Sequence, residues 1–328
     1  MTPAMVGSGE SDKPESQYQK GVKHLVENGL HSVPKKYILP PSDRPGTNSE
    51  DSNVAKQNLE LPIIDYSELL GPRRQQVLQS LANACEGYGF FQLINHGISD
   101  DVISSMRDVS GKFFDLPFEQ REKKEVATYA EKTRHLFLML MEAIQESLGI
   151  IEGKETEGKD NILRELEDGS QMMVINFYPP CPQPDLTLGM PPHSDYGFLT
   201  LLLQDQVEGL QVHFQDQWLT VQPINNAFVV NVGDHLEIYS NGKYKSVLHR
   251  VMANSKKNRT SVASLHSLPF NCTVRPSPKL IDQHNPKRYA DTNFDTFLAY
   301  VTTREPKRKD FLDSRKLTSV CVEEKEIK

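Results

Sequence analysis

Residues 191–203 read Pro-Pro-His-Ser-Asp-Tyr-Gly-Phe-Leu-Thr-Leu-Leu-Leu, and the rest of the chain is arranged around them. His193 and Asp195 stand two apart, so on an extended backbone both side chains leave from the same side. The Pro191-Pro192 run is expected to break the strand in front of them. Behind them, 199–203 is a short apolar segment of strand type. From Gln171 onward such segments recur, at 172–178, 199–203, 210–214, 218–221, 227–232, 246–253 and 260–268. They are short, rich in β-formers and separated by turn residues. Many short strands at regular spacing fit a double-sheet barrel or jelly roll.

Toward the N-terminus the pattern turns helical. Residues 1–16 hold little that can be buried and are expected to be disordered. Residues 18–28 place Val22, Leu25 and Val26 at helical spacing, with Gly29 as the stop. An extended arm over 32–41 and a polar linker over 42–58 follow. Residues 61–65 read as a strand. Residues 73–88 read as a helix with Val77, Leu78, Leu81, Ala82 and Cys85 on one face. A strand over 89–94 closes in Asn95-His96-Gly97. Ser99 is expected to cap a helix whose first turn holds Asp100 and Asp101. Pro117 opens a further turn through Lys124. Residues 125–148 form a strong amphipathic helix with Tyr129, Thr133, Leu136, Phe137, Leu140, Ile144 and Leu148 inward, ended by Gly149. A short helix over 233–239 and another over 287–303 complete the reading.

Helices first and strands later give an α+β fold, a double-stranded β-helix (jelly roll) core backed by helices. The expected division is a disordered 1–16, a helix, arm and linker over 17–58, a helical region over 59–150, the jelly roll over 151–270, and a C-terminal helix and tail over 271–328.

The chain has 328 residues, 37% hydrophobic and 25% charged, which suits a soluble protein with one large or two small cores. A net charge of −7 argues against nucleic acid as a partner. The longest apolar stretch, 136–141, is far too short to span a bilayer. No signal-peptide core opens the chain, so a cytoplasmic monomer is expected. Cys85, Cys181, Cys272 and Cys321 lack the spacing of a metal or disulfide framework.

His193 and Asp195, joined by His249 from a later strand, would put two imidazoles and a carboxylate on one face of a metal. That set holds Fe(II) with three positions open. A histidine in a strand is more often a packed core residue, and on spacing alone the two readings stand even. His96, His135, His213, His235 and His266 have no partner pattern and are read as structural. Arg259 and Ser261 alternate onto one face of a strand. The arginine offers a planar fork that fits a carboxylate, although a surface arginine after Lys256-Lys257-Asn258 is the simpler account of it taken alone.

With Asn176-Phe177-Tyr178 upstream, these residues resemble the plant 2-oxoglutarate/Fe(II)-dependent dioxygenases, in particular the downy-mildew-resistance-6-like oxygenase group. The resemblance runs from Val22 to about Leu317, and Asn-x-Tyr, His-x-Asp, His249 and Arg-x-Ser follow the family's order. It implies Fe(II) on His193, Asp195 and His249, and the distal carboxylate of 2-oxoglutarate on Arg259, Ser261 and Tyr178. Asn176 supports the iron-proximal end of that cosubstrate. O2 is the oxidant, with ascorbate as a candidate reductant. The implied activity is hydroxylation or desaturation of a small plant metabolite or hormone, with release of succinate and CO2. A zinc hydrolase on a similar triad has no need for Arg259, Ser261 and Tyr178 set out for a dicarboxylate.

Two departures from the family concern the substrate. Leu265 stands where flavonoid-oxidising relatives carry a phenylalanine, which disfavours a flavonoid; Phe198 is expected beside it on the pocket wall. Where relatives carry several tens of residues that wall the substrate pocket, Lys124 runs straight into the helix at Glu125. The alternative to an ordinary enzyme is therefore a weakly active or non-catalytic variant that binds Fe(II) and 2-oxoglutarate without a complete pocket.

Overall fold

The computed structural model describes residues 21–45, 58–115, 124–151, 162–303 and 309–317. The expectations for 1–16, for 117–123 and for Cys321 lie outside the described residues. In chain order the helices are α1 Gly21–Glu27, α2 Tyr66–Leu69, α3 Arg74–Gly87, α4 Asp100–Phe113, α5 Lys124–Ser147, α6 Ile162–Glu167, α7 Asp234–Tyr239, α8 Phe294–Thr303 and α9 Asp310–Arg315. The strands are β1 Asn58–Leu59, β2 Ile63–Asp65, β3 Phe90–Ile94, β4 Ser170–Tyr178, β5 Met190–His193, β6 Leu199–Gln204, β7 Leu210–Phe214, β8 Gln217–Val221, β9 Phe228–Val232, β10 His249–Val251 and β11 Arg259–Ser267.

Two sheets form, one of five strands in the order β1-β8-β7-β10-β5 and one of six in the order β2-β3-β9-β6-β11-β4. With the helices they make the expected α+β jelly roll. The strands alternate as period two requires. Leu199, Leu201, Leu203, Val230, Val232 and Val262 face the helices and join one continuous core with Leu81, Phe137, Leu140 and Ile144. The opposite face looks into the space between the sheets. One end of that space is filled by a smaller apolar cluster of Phe90, Leu210, Val212, Val221 and Val229. The other end is lined by polar residues. α5 carries Tyr129, Thr133, Leu136, Phe137, Leu140 and Ile144 on its buried side, and stops where Gly149 takes φ +73°.

Several expectations need correction. The Pro191-Pro192 run lies inside β5 instead of breaking it. β5 is the edge of the five-stranded sheet and pairs only with β10, so prolines without N–H groups are tolerated there. The strand expected over 246–253 shrinks to β10. Its register against β5 shifts between His249 and Val251, and the flanking amides turn elsewhere: Ser246 N donates to Glu237 Oε2 and Met252 N to Gly209 O. The helix expected from residue 287 starts only at Phe294, because the preceding backbone is held extended by bridges Val274–Thr292 and Tyr289–Lys316. Asn58, read as the end of a linker, begins β1 and pairs in parallel with Thr220. The Ser99 hydroxyl makes no cap bond to α4; Asp100 in the first turn accepts instead from Asn226 Nδ2 at 2.6 Å.

Candidate active site

β5 and β10 lie antiparallel with His193 and His249 directly opposite each other. Their rings face across the pair with centroids 4.2 Å apart. Each ring is aimed by its own backbone: His193 Nδ1 donates to Pro191 O at 2.9 Å, and His249 Nδ1 to Val247 O at 3.2 Å. A carbonyl only accepts, so both rings carry a proton on Nδ1, and in the neutral form each turns its Nε2 lone pair the other way. Asp195, two residues past His193, brings Oδ1 to 3.7 Å from each of those Nε2 atoms. One ligand atom from each residue lies within 4.8 Å of the others, and no other such group occurs among the described residues. The donors are two imidazoles and one carboxylate, the set that suits Fe(II) with open positions.

The electrostatics favour ligation. Burial, reinforced by the neighbouring His193, pushes the His249 imidazole well below its ordinary pKa, against the pull of Asp195. It is therefore neutral near pH 7, the form that binds a metal. Burial alone would raise the pKa of Asp195, but the adjacent His249 and His193 and hydrogen bonds from Thr200 and Asn231 outweigh it and hold the carboxyl below the usual range. The side chains of Asp195 and His249 are each 10% exposed, whereas that of His193 is 32% exposed. The triad thus opens to solvent on the His193 side.

The loop carrying Asp195 is clamped from below by the turn between β9 and α7. Asp234 N donates to Asp195 O at 2.7 Å. Ser194 Oγ donates to Asp234 Oδ2 at 3.2 Å, and Ser246 Oγ to Asp234 Oδ1 at 2.7 Å. The two loops approach closely because Gly233 has no side chain: a Cβ there would lie 2.1 Å from Gly197 O and 3.1 Å from Asp195 O.

On β11 and β4, Arg259 pairs with Tyr178 and Ser261 with Asn176. Arg259 is 1% exposed, Ser261 2% and Tyr178 9%, so the expected surface alternative for Arg259 does not hold. Its guanidinium lies 5.3 Å from the centre of the Tyr178 ring and donates through Nη2 to Gln204 Oε1 at 3.0 Å. Arg259 Nε and Nη1 and Gln204 Nε2 are buried donors without a partner. Unpaired buried donors are costly, and a carboxylate ligand at this spot would satisfy them. The residues present therefore fit both a metal ion and an acidic cosubstrate. Gly209 lets the arginine through, since a Cβ there would meet Arg259 Cδ at 2.8 Å and Nε at 3.1 Å.

Leu265 shares the inward side of β11 with Arg259 and Ser261 and is half-buried. Phe198 does not line the pocket as expected. It has no exposed surface and packs in the helix-side core, its ring 5.9 Å from that of His235 and 5.8 Å from that of Tyr239. Thr200, Gln204, Gly209 and Asn231 were not singled out from sequence, although Thr200 and Gln204 are the polar interruptions of a leucine-rich strand and Asn231 that of a valine-rich one. An inward polar residue in such a strand needs a partner, and that is the signal that marks them. His96, His235 and His266 are buried in structural contacts: His96 Nε2 donates to Asn226 O at 2.7 Å, His235 bonds Ser267 Oγ at 2.7 Å, and His266 stacks on Phe137 at 4.5 Å.

A cavity of about 610 Å³ adjoins this site, between the N-terminal arm and the β4–β5 connection. Val22, Leu25 and Leu39 line it on one side, and Ile175, Asn176 and Pro191 on the other.

Comparison with known proteins agrees with this geometry. Residues 169–267 match the family model described as 2OG-Fe(II) oxygenase superfamily. Residues 61–160 match the non-haem dioxygenase in morphine synthesis N-terminal model. Protein DMR6-LIKE OXYGENASE 1 of Arabidopsis thaliana is 36% identical, over 80% of this chain and 88% of its own. Jasmonate-induced oxygenase 1 of the same plant is 32% identical, over 89% of this chain and 85% of its own. The crystal structure of JOX2 in complex with 2OG, Fe and JA superposes with a TM-score of 0.77 at 29% identity, covering 90% of this chain and 97% of that one. The rice dioxygenase for auxin oxidation shares the fold at a TM-score of 0.70 and 23% identity, covering 79% of this chain and all of that one. The match to jasmonate-induced oxygenase 1 extends over 351 residues, more than the 328 of this chain, while taking in 89% of it. Several tens of the relative's residues therefore have no counterpart here.

Proposed function

We propose, from the premise that this chain belongs to the 2OG-Fe(II) oxygenase superfamily and is a 2-oxoglutarate/Fe(II)-dependent dioxygenase, that it hydroxylates or desaturates a small, largely apolar plant metabolite or hormone. The observation that carries this reading is the convergence of His193, Asp195 and His249 beside an arginine with unpaired donors. In the proposed site those three residues hold Fe(II). Arg259 receives the distal carboxylate of 2-oxoglutarate, helped by the Ser261 and Tyr178 hydroxyls, and Asn176 stands on the same side of β4 as Tyr178. When bound, iron and 2-oxoglutarate supply the oxidation, with O2 converting the cosubstrate to succinate and CO2.

The chain's own part is placement. The buried guanidinium fixes one end of the cosubstrate through a planar fork. His193 and His249 keep their Nε2 atoms toward the metal through their bonds to backbone carbonyls. The largely apolar cavity next to Pro191, which shares Asn176 and Tyr178 with the proposed cosubstrate site, is of a size that takes a small molecule. The names of the relatives, with jasmonate and flavanone among them, support a hormone or secondary metabolite as the substrate class. The test is succinate release from 2-oxoglutarate in the presence of Fe(II), alone and with a panel of small plant hormones and metabolites. Stimulation by one class, with matching oxidised product, supports the reading. No release with any of them, from protein shown to bind Fe(II) and 2-oxoglutarate, overturns it.

A second reading is a weakly active variant with an incomplete substrate pocket. Two observations favour it: the residues of relatives that have no counterpart here, and the exposure of His193. In this reading the absent segment falls after Lys124, and the triad survives because every ligand comes from residues after Gln171.

A further inference from the structure

We propose that Thr200 and Asn231 are positioning residues that make Asp195 a one-oxygen ligand and so keep a coordination position free. The inference rests on the reading of His193, Asp195 and His249 as the metal site. The two oxygens of Asp195 are treated differently. Oδ1 points into the triad, 3.7 Å from both imidazole Nε2 atoms. Oδ2 points away and accepts two hydrogen bonds, from Thr200 Oγ1 at 2.6 Å and Asn231 Nδ2 at 2.9 Å. An ionised carboxylate only accepts, so the asparagine must present its NH2 and the threonine its hydroxyl proton.

The fold builds this arrangement from two strands. Thr200 on β6 and Asn231 on β9 are direct cross-strand partners. Their neighbours Leu199, Leu201, Val230 and Val232 are locked in the helix-side core, which turns both polar side chains inward. Thr200 is 4% and Asn231 3% exposed, so their bonds to a charge are shielded from water. The main chain of Asp195 is fixed as well, by the bond from Asp234 N. With Oδ2 engaged twice, the carboxylate has little reason to swing and chelate through both oxygens. Two-oxygen chelation would take up one of the positions that two histidines and one carboxylate otherwise leave open. Thr200 and Asn231 therefore act through Asp195 without touching the metal.

The test uses the whole chain and redox-inert or spectroscopically visible metals. Thr200→Val keeps the shape and removes the donor; Thr200→Ser restores it; Asn231→Ser is the second variant. Affinity for Mn(II) is measured by calorimetry, and the electronic spectrum of the Co(II) form reports coordination number. We expect Thr200→Val to bind Mn(II) roughly 10–100-fold more weakly, the usual effect of losing a partner of a metal ligand, with an altered Co(II) spectrum and recovery in Thr200→Ser. Circular dichroism of the metal-free variants shows whether they fold, and Asn231→Ser takes over if Thr200→Val does not. A folded variant with parental Mn(II) affinity and parental Co(II) spectrum overturns the proposal. Asp195→Ala separates this from failure of the site itself: if it binds Mn(II) as well as the parent does, the triad is not the metal site.

Discussion

Arg259 and Gln204 meet inside the barrel through a single bond, Nη2 to Oε1 at 3.0 Å, while Nε and Nη1 of the arginine and Nε2 of the glutamine stay without acceptors. The glutamine fixes one corner of the guanidinium, and the remaining donors form a preset recess for an anion. Burial lowers the pKa of Arg259, with Tyr178 and Asp205 acting against that shift, and an arginine is in any case a cation at neutral pH. Leaving a buried cation partly paired is destabilising, and an anionic ligand at this spot would offset that cost.

Arg259→Lys keeps the charge and loses the fork. We expect 2-oxoglutarate to bind more weakly by about 1.5–3 kcal/mol, the range for a hydrogen bond to a charged group. Mn(II) affinity should be unaltered, because no triad ligand contacts this position. Anaerobic titration of the cosubstrate into the metal-loaded protein measures the first quantity, and metal titration alone the second. An unchanged cosubstrate affinity removes Arg259 from the site.

Gly209→Ala tests the same recess without touching a charge. Its Cβ would sit 2.8 Å from Arg259 Cδ and 3.3 Å from Met252 O, so the arginine stem must shift. Losing one aligned charge-assisted bond costs about 1.5 kcal/mol in cosubstrate affinity. The comparison to make is the dissociation constant for 2-oxoglutarate against the parent, together with the melting temperature. Equal affinity in a folded variant means that the stem has room to move.

Much of this site was legible because its chemistry sits at fixed sequence offsets. His193 and Asp195 are two apart, Arg259 and Ser261 likewise; alternation along β11 sends the second pair to one side, while Asp195 lies in the loop after β5 and is held beside His193 by the bond from Asp234 N. The long helix was legible for a similar reason, as Tyr129, Thr133, Leu136, Phe137, Leu140 and Ile144 repeat at helical period and bury as expected. What period cannot supply is the pairing of distant strands. That Thr200 faces Asn231, and that both reach Asp195, depends on β6 and β9 being neighbours. That Phe198 joins the core instead of the pocket depends on which side the His-x-Asp loop leaves β5. The survival of Pro191-Pro192 in a strand depends on β5 being an edge, a property of the whole sheet.

Acid should destabilise the fold through its buried histidines. Burial lowers His235 and His266 from an ordinary value of 6.5 to about 3. Below pH 6.5 the unfolded chain takes up protons that the folded chain refuses, so stability falls as pH drops from 6.5 toward 3 and is unaffected by these groups above 6.5. At pH 5 each contributes a loss of up to about 2 kcal/mol. Urea unfolding of the metal-free protein at pH 7 and pH 5 measures the loss. His266→Gln should reduce the difference between the two; an equal difference would show that His266 does not stay neutral in the fold.

The exposure of His193 carries the last prediction. Its side chain is 32% exposed against 10% for Asp195 and His249, so the triad faces water on one side. All three ligands follow Gln171 in sequence, and the proposed absent segment precedes Glu125. On the proposed reading, loss of that segment would leave the ligands in place while removing a wall. Catalysis of this kind depends on holding substrate near the reacting centre and keeping water out. We therefore expect uncoupled turnover, with succinate formed slowly and little oxidised product per succinate. Inserting the corresponding segment of a relative such as jasmonate-induced oxygenase 1 after Lys124 should raise that ratio toward one, with unchanged Mn(II) affinity. The measurement is product per succinate for both chains on the same substrate. A ratio already near one for the present chain would mean that the cavity beside Pro191 suffices to hold substrate, and that the chain works as an ordinary oxygenase without the segment.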